Sequence, residues 1–164
     1  MPRFLRTIRF DGSDDHVFAP AAGSDEWAVP GGFVFSGMDE GAIAGKVKQA
    51  FSNGFLSLDC FGHSTFVTVS ETGDETIAAL AVQLADHFVA AYGAPSREAA
   101  LPIARGEIDF ATELAGGQPI NTVLAISRSF DDTGGIHEEY RTVTPPSEAP
   151  HARVWDVVED ERDA

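Results

Sequence analysis

One acid and two arginines raise the question of chemistry. Taking about 100° per residue along a helix, Glu107 shares a stripe with Ile103, Phe110 and Leu114, and the adjoining sector holds Ala104, Ile108 and Ala111. A carboxyl group left unpaired in an apolar face has its pKa raised, as general acids in active sites often do. Arg6 lies between Phe4 and Ile8, and Arg128 between Ile126 and Phe130, each among the apolar residues of a predicted strand. An ion pair between Glu107 and either arginine would satisfy both groups and do no chemistry. The competing reading places Glu107 as acid or base in a pocket between the third helix and the sheet, with Arg6 or Arg128 holding an anionic ligand.

The run Asp59-Cys60-Phe61-Gly62-His63-Ser64 is the densest set of reactive side chains. Cys60 and His63 have the two-residue gap of half a zinc site, but a closed structural site needs four ligands. No second cysteine exists, and His16, His87, His137 and His151 are dispersed. A Cys60 thiolate activated by His63 is the enzymatic alternative, and a small buried hydrophobe is the plainer one. Gly62-His63-Ser64-Thr65-Phe66 begins like a nucleophile elbow, yet Phe66 stands where the last glycine permits the tight turn. His137-Glu138-Glu139 lacks the second histidine of a helical zinc motif and falls in a predicted strand. Neither a metal nor a cofactor is expected.

These residues must be positioned by strands, then helices, then strands. Residues 3–10 alternate, with Phe4, Arg6, Ile8 and Phe10 on one face. Residues 11–15 are turn chemistry, with His16-Val17-Phe18 returning as a short strand, and Trp27-Ala28-Val29 and Phe33-Val34-Phe35 are strand pieces around Pro30-Gly31-Gly32. A helix runs from Met38 to about Phe51 on a stripe of Ile43, Val47, Ala50 and Phe51, and stops at Asn53-Gly54. Ser64 to Glu71 reads as a strand, and Thr72 with Glu75 matches a capping box for a helix striped by Ile77, Leu80, Ala81, Leu84, Phe88 and Ala91. Gly93 and Pro95 end it.

For the third helix, a start near Pro102 is favoured over one at Ser96, because proline breaks a helix beyond its first turn. It runs to Leu114 and closes at Gly116-Gly117. Residues 120–130 and 136–143 flank Asp131-Asp132-Thr133-Gly134-Gly135 as a hairpin. Arg153 to Val158 reads as a last strand. The order predicts a single α+β domain over 1–158, mainly an antiparallel sheet with about three helices on one face, and a charged tail over 159–164.

The balance of charge narrows the partners. With 26 acidic against 11 basic side chains, the net charge is −15. That argues against nucleic acid, whose binding draws on clustered Lys and Arg. No apolar stretch reaches the length of a membrane span, and residues 1–6 lack a signal-peptide core. A cytoplasmic protein is expected, with another protein or a second copy of itself as partner, through exposed strand edges of the C-terminal hairpin and its neighbouring strand.

Three stretches together resemble a small bacterial family of unknown function over nearly the whole chain. They are Phe4-Leu5-Arg6-Thr7-Ile8-Arg9-Phe10-Asp11, Val29-Pro30-Gly31-Gly32-Phe33, and Gln49-Ala50-Phe51-Ser52-Asn53-Gly54-Phe55 leading into Phe61-Gly62. The resemblance implies an accessory or maturation role alongside molybdenum-dependent formate dehydrogenases, and assigns no catalytic residue. The sequence reading is therefore a non-enzymatic accessory or interaction protein, with the Glu107 pocket as the alternative.

Overall fold

The computed structural model describes residues 1–10 and 12–144. The expected strand from Arg153 to Val158 and the tail after it lie outside the described residues. Within them the strands are β1 (Arg3–Ile8), β2 (Trp27–Val29), β3 (Phe55–Ser57), β4 (His63–Ser64), β5 (Phe66–Glu71), β6 (Val123–Phe130) and β7 (Ile136–Val143). They form one sheet in the order β4-β3-β2-β1-β5-β6-β7, and every neighbouring pair is antiparallel. The helices are α1 (Ser13–Val17), α2 (Gly45–Asn53), α3 (Asp74–Tyr92) and α4 (Arg97–Gly116). This is a single α+β domain, as the sequence predicts.

The central strands pair in the register that their alternation demands. Leu5 lies opposite Val69 and Ala28, and Thr7 opposite Val67; all five are buried. Burying one face fixes the register, since a one-residue slip would turn these side chains outward. Leu80, Leu84 and Phe88 of α3 and Ala104, Ile108 and Ala111 of α4 complete the main core with them. A smaller core around α2 holds Phe18, Phe35, Ile43 and Phe51.

Several local expectations are corrected. Residues 13–17 form the short helix α1, not a returning strand; the Asp14 carboxylate accepts bonds from the Thr65 hydroxyl (2.7 Å) and amide (3.3 Å), which anchors this turn of helix. Residues Gly32–Phe35 form a 3-10 turn where a strand was expected. Gly31, at φ +80°, turns the chain off the sheet, and a Cβ there would lie 2.6 Å from that of Leu56. Left-handed backbone and close approach together require glycine at that point.

The helix expected from Met38 splits into a 3-10 turn, Glu40–Ala42, and α2. Thr72 does not cap α3; Gly73 occupies the cap position without a side-chain bond. Ser96 does cap α4, its hydroxyl accepting from the Ala99 amide at 3.1 Å, and the helix runs through Pro102. Proline removes a bond to the Glu98 carbonyl alone, and both residues are exposed, so water can satisfy that oxygen.

Candidate functional site

Arg128 and the Cys60–His63 segment lie toward opposite ends of the sheet, Arg6 on the central strand β1, and Glu107 on α4. At the β7 end, Arg128 is buried and spends its donors on structure. Its Nη1 donates to the carbonyls of Ala50 (3.2 Å), Phe51 (3.0 Å) and Gly54 (2.9 Å), where α2 ends. Its Nη2 donates to the Pro30 carbonyl, and its Nε meets Glu138 Oε2 at 2.8 Å. A cation suits the carbonyl end of a helix dipole, so this guanidinium ties α2, the Pro30 turn and both hairpin strands together. Gly32 lets the turn approach, since a Cβ there would stand 2.6 Å from Glu138 Oε2.

Glu107 does not pair with either arginine among the described residues; Arg128 is engaged by Glu138 from the opposite strand. Arg6 instead lies over its cross-strand neighbour Trp27, with the guanidinium carbon 4.0 Å from the ring centroid, a cation–π contact. The structure therefore brings Glu107 into the surroundings of Arg128 through Glu138 and Tyr140, but leaves Arg6 elsewhere. Burial, and then the Glu138 charge, hold the Glu107 carboxyl above its ordinary pKa. Tyr140 donates its hydroxyl to Glu138 Oε1 at 2.7 Å, and burial together with that bond raises its pKa. The cluster can keep a carboxyl group protonated more readily than in water, which is a proton-donor property.

At the β4 end, Cys60 and His63 diverge. The exposed Cys60 places Sγ 3.2 Å from Glu26 Oε1, and Ser57 Oγ donates to the same carboxylate oxygen at 2.7 Å. Between the two, Phe61 stacks on His87 at 3.6 Å between centroids. His63 packs instead beside Phe18 and Phe35. Burial, and then the Arg128 charge, lower its pKa to about 4, and its Nε2 is buried without a hydrogen-bond partner among the described residues. The expected Cys60–His63 pair does not form, and among the described residues no group of three or more His, Cys, Asp or Glu side chains could hold a metal ion.

The C-terminal hairpin, where the sequence reading looks for an exposed strand edge, also carries an exposed apolar patch of α4 that sequence reasoning missed. β7 is the outermost strand. Its hairpin closes with the Asp131 amide donating to the Gly135 carbonyl at 2.8 Å. Since paired residues alternate in the direction of their backbone bonds, His137, Glu139 and Arg141 turn their peptide groups toward β6. Ile136, Glu138, Tyr140 and Thr142 turn theirs outward, where they meet no backbone partner among the described residues. Over this edge stands α4, with Phe110 43% and Ile103 63% exposed, and the Phe110 ring 6.1 Å from that of Tyr140. The expectation that Ile103 and Phe110 point into the core is thus overturned. A separate apolar groove of about 400 Å³ lies at the α3–α4 elbow, between Phe33, Tyr92, Pro95 and Ile103.

Fold and site together define an acidic α+β domain with a buried arginine and its carboxylate partner toward one end of the sheet and, among the described residues, a last strand with no strand beyond it. The chain belongs to a family of unknown function (DUF6505), whose model matches residues 1–155. No curated protein and no solved structure matches it. Among the described residues no single helix is long and apolar enough to cross a membrane.

Proposed function

We propose that this protein is a non-enzymatic accessory protein that works by adding a strand of another polypeptide to its sheet. The observation that carries this reading is the eight-residue strand β7, which presents outward peptide groups without backbone partners among the described residues. Such an edge is a template for main-chain pairing, and main-chain bonds with alternate side-chain contacts are how sheet edges recognise partners. The resemblance noted from the sequence extends the proposal to the maturation of a molybdenum-dependent formate dehydrogenase, with the protein in the cytoplasm.

The test removes one outward donor. Thr142→Pro deletes an amide that faces away from β6, a position at which edge strands tolerate proline. Full-length native protein and this variant, matched for fold by circular dichroism, are used as bait in an extract of the source cells. Capture of a polypeptide by the native chain and its loss in the variant supports edge pairing. Equal capture by both, or none by either, rejects it.

The half-buried, unpaired Glu107 favours a second reading, in which a ligand sits between α4 and the sheet against Glu107, without the arginine that the sequence reading adds, since the donors of Arg128 are engaged by Glu138 and main-chain carbonyls. There Glu107→Gln would abolish ligand binding and leave the fold intact.

A further inference from the structure

We infer that the strand which docks on β7 is β7 of a second copy of this chain, paired antiparallel about a two-fold axis through Tyr140. This rests on the edge-pairing reading above and names the partner. In a symmetric antiparallel pair each residue lies opposite one whose number makes a constant sum with its own, so one residue lies opposite itself. With Ile136–Val143 as the strand, two registers overlap nearly its whole length, centred on Glu139 or on Tyr140.

The charges separate them. Centred on Glu139, the two copies of that carboxylate would meet face to face, and His137 would meet Arg141. Centred on Tyr140, Glu139 of each copy lies opposite Arg141 of the other, so that two opposite-charge pairs form. Like charges directly opposite destabilise a strand pair, and opposite charges stabilise it. Backbone polarity agrees with this choice. Tyr140 turns its amide and carbonyl outward, as derived from the hairpin closure, so the Tyr140 pair exchanges both main-chain bonds. The Glu139–Arg141 pairs then fall at the non-hydrogen-bonded positions, where side chains approach closest.

Two further observations fit a second copy. Glu139 and Arg141 are exposed; among the described residues, Glu139 meets the exposed His137 ring at 3.1 Å and no Lys or Arg, and Arg141 has no ion pair. On a chain of net charge −15, this strip of His137, Glu139 and Arg141 is a place where the charges balance, which lowers the repulsion between copies. The two-fold axis perpendicular to the sheet also keeps both α4 helices on the same side. Phe110 of each copy would then flank the Tyr140 pair, covering a ring that is otherwise 43% exposed.

The experiment is sedimentation equilibrium on the full chain, with Glu139→Arg, Arg141→Glu and the double variant. Either single reversal sets two like-charge pairs face to face and is expected to weaken self-association about tenfold, while the double variant restores it. The three variants carry their changes at exposed positions, and circular dichroism verifies the folds of all four proteins. A native protein that stays monomeric at every concentration overturns the second-copy inference. So does self-association that the single reversals leave unchanged, or that the double variant fails to restore. The edge-pairing reading survives each of these results if Thr142→Pro still abolishes capture of a different polypeptide, so the two proposals fail separately.

Discussion

The sheet ends differently on its two sides. At the β4 end the last strand is two residues long, and it is closed by the chain itself. Ala21 bridges to His63, the Ala22 amide donates to the His63 carbonyl at 2.8 Å, and the His63 amide donates to the Pro20 carbonyl at 3.1 Å. At the β7 end the last strand is eight residues long, tightly held on its inner side by Arg128 and Glu138, with no strand beyond it among the described residues. A short, covered edge and a long, open one are two treatments of the same liability. Among the described residues, the chain closes the edge beside its half-buried histidine and leaves open the one whose exposed side chains balance in charge. That difference is the reason the proposed partner strand is placed at β7.

The sharpest way to break the contrast is to loosen the inner side of the β7 end. Arg128→Ala would strand the Glu138 carboxylate and uncap the carbonyls of Ala50, Phe51, Gly54 and Pro30. Removing one partner of a buried ion pair costs roughly 3–5 kcal/mol. Urea unfolding should show this loss, and amide exchange should show β6 and β7 losing protection before β1 and β5.

The closed end responds to acid. His63 resists protonation in the folded protein, with a pKa lowered to about 4, whereas in an unfolded chain an imidazole titrates near 6.5. Its contribution is therefore complete above about pH 6.5 and is lost as pH falls toward 4, by roughly 3 kcal/mol in all. His63→Phe should flatten that stretch of the stability–pH curve, measured as urea midpoints between pH 4 and 7. An unchanged slope would place the acid sensitivity elsewhere.

Closure itself can be tested at Gly62. A Cβ there would lie 2.6 Å from the carbonyl carbon and oxygen of Ala21, backbone atoms that can yield only by breaking the bridge to His63. Gly62→Ala should cost about 1–3 kcal/mol, the usual penalty for overpacking. Exchange should quicken at the amides of Ala22 and His63, with β7 unaffected.

What the sequence concealed follows from how these ends are built. The α3 stripe was legible because Leu80, Leu84 and Phe88 are large and repeat at helical spacing; the β6–β7 hairpin was legible because Asp131 to Gly135 is turn chemistry. β3 and β4 were not. Phe55, Leu56 and Ser57 are all buried, so no polar–apolar alternation marks them, and β4 is too short to alternate at all. α4 was misread by a rotation. Its buried face is largely alanine, at 100, 104, 111 and 115, which signals burial weakly, while Ile103 and Phe110 signal it strongly and stand at the open edge. Glu107 was recognisable as unusual, but its surroundings depend on Glu138, which lies in a different element and pairs with Arg128 first.

That last arrangement supports the smallest prediction. Arg128 is fully occupied by Glu138 and by main-chain carbonyls, so Glu107 faces the Glu138 charge without a cation of its own. Burial and that charge raise its pKa above the value in an unfolded chain. The folded protein therefore binds this proton more tightly than the unfolded chain does. Stability linked to Glu107 is complete below its unfolded pKa and is lost as pH rises through the folded one. At neutral pH the ionised side chain is thus a small burden, and Glu107→Gln should raise stability by under about 1 kcal/mol. The gain should vanish near pH 4, where the native residue already carries its proton. Thermal unfolding of both proteins at pH 4 and pH 7.5 measures this difference. A loss of stability at pH 7.5 would mean that Glu107 makes a favourable charged contact, and would return it to the role of a structural partner.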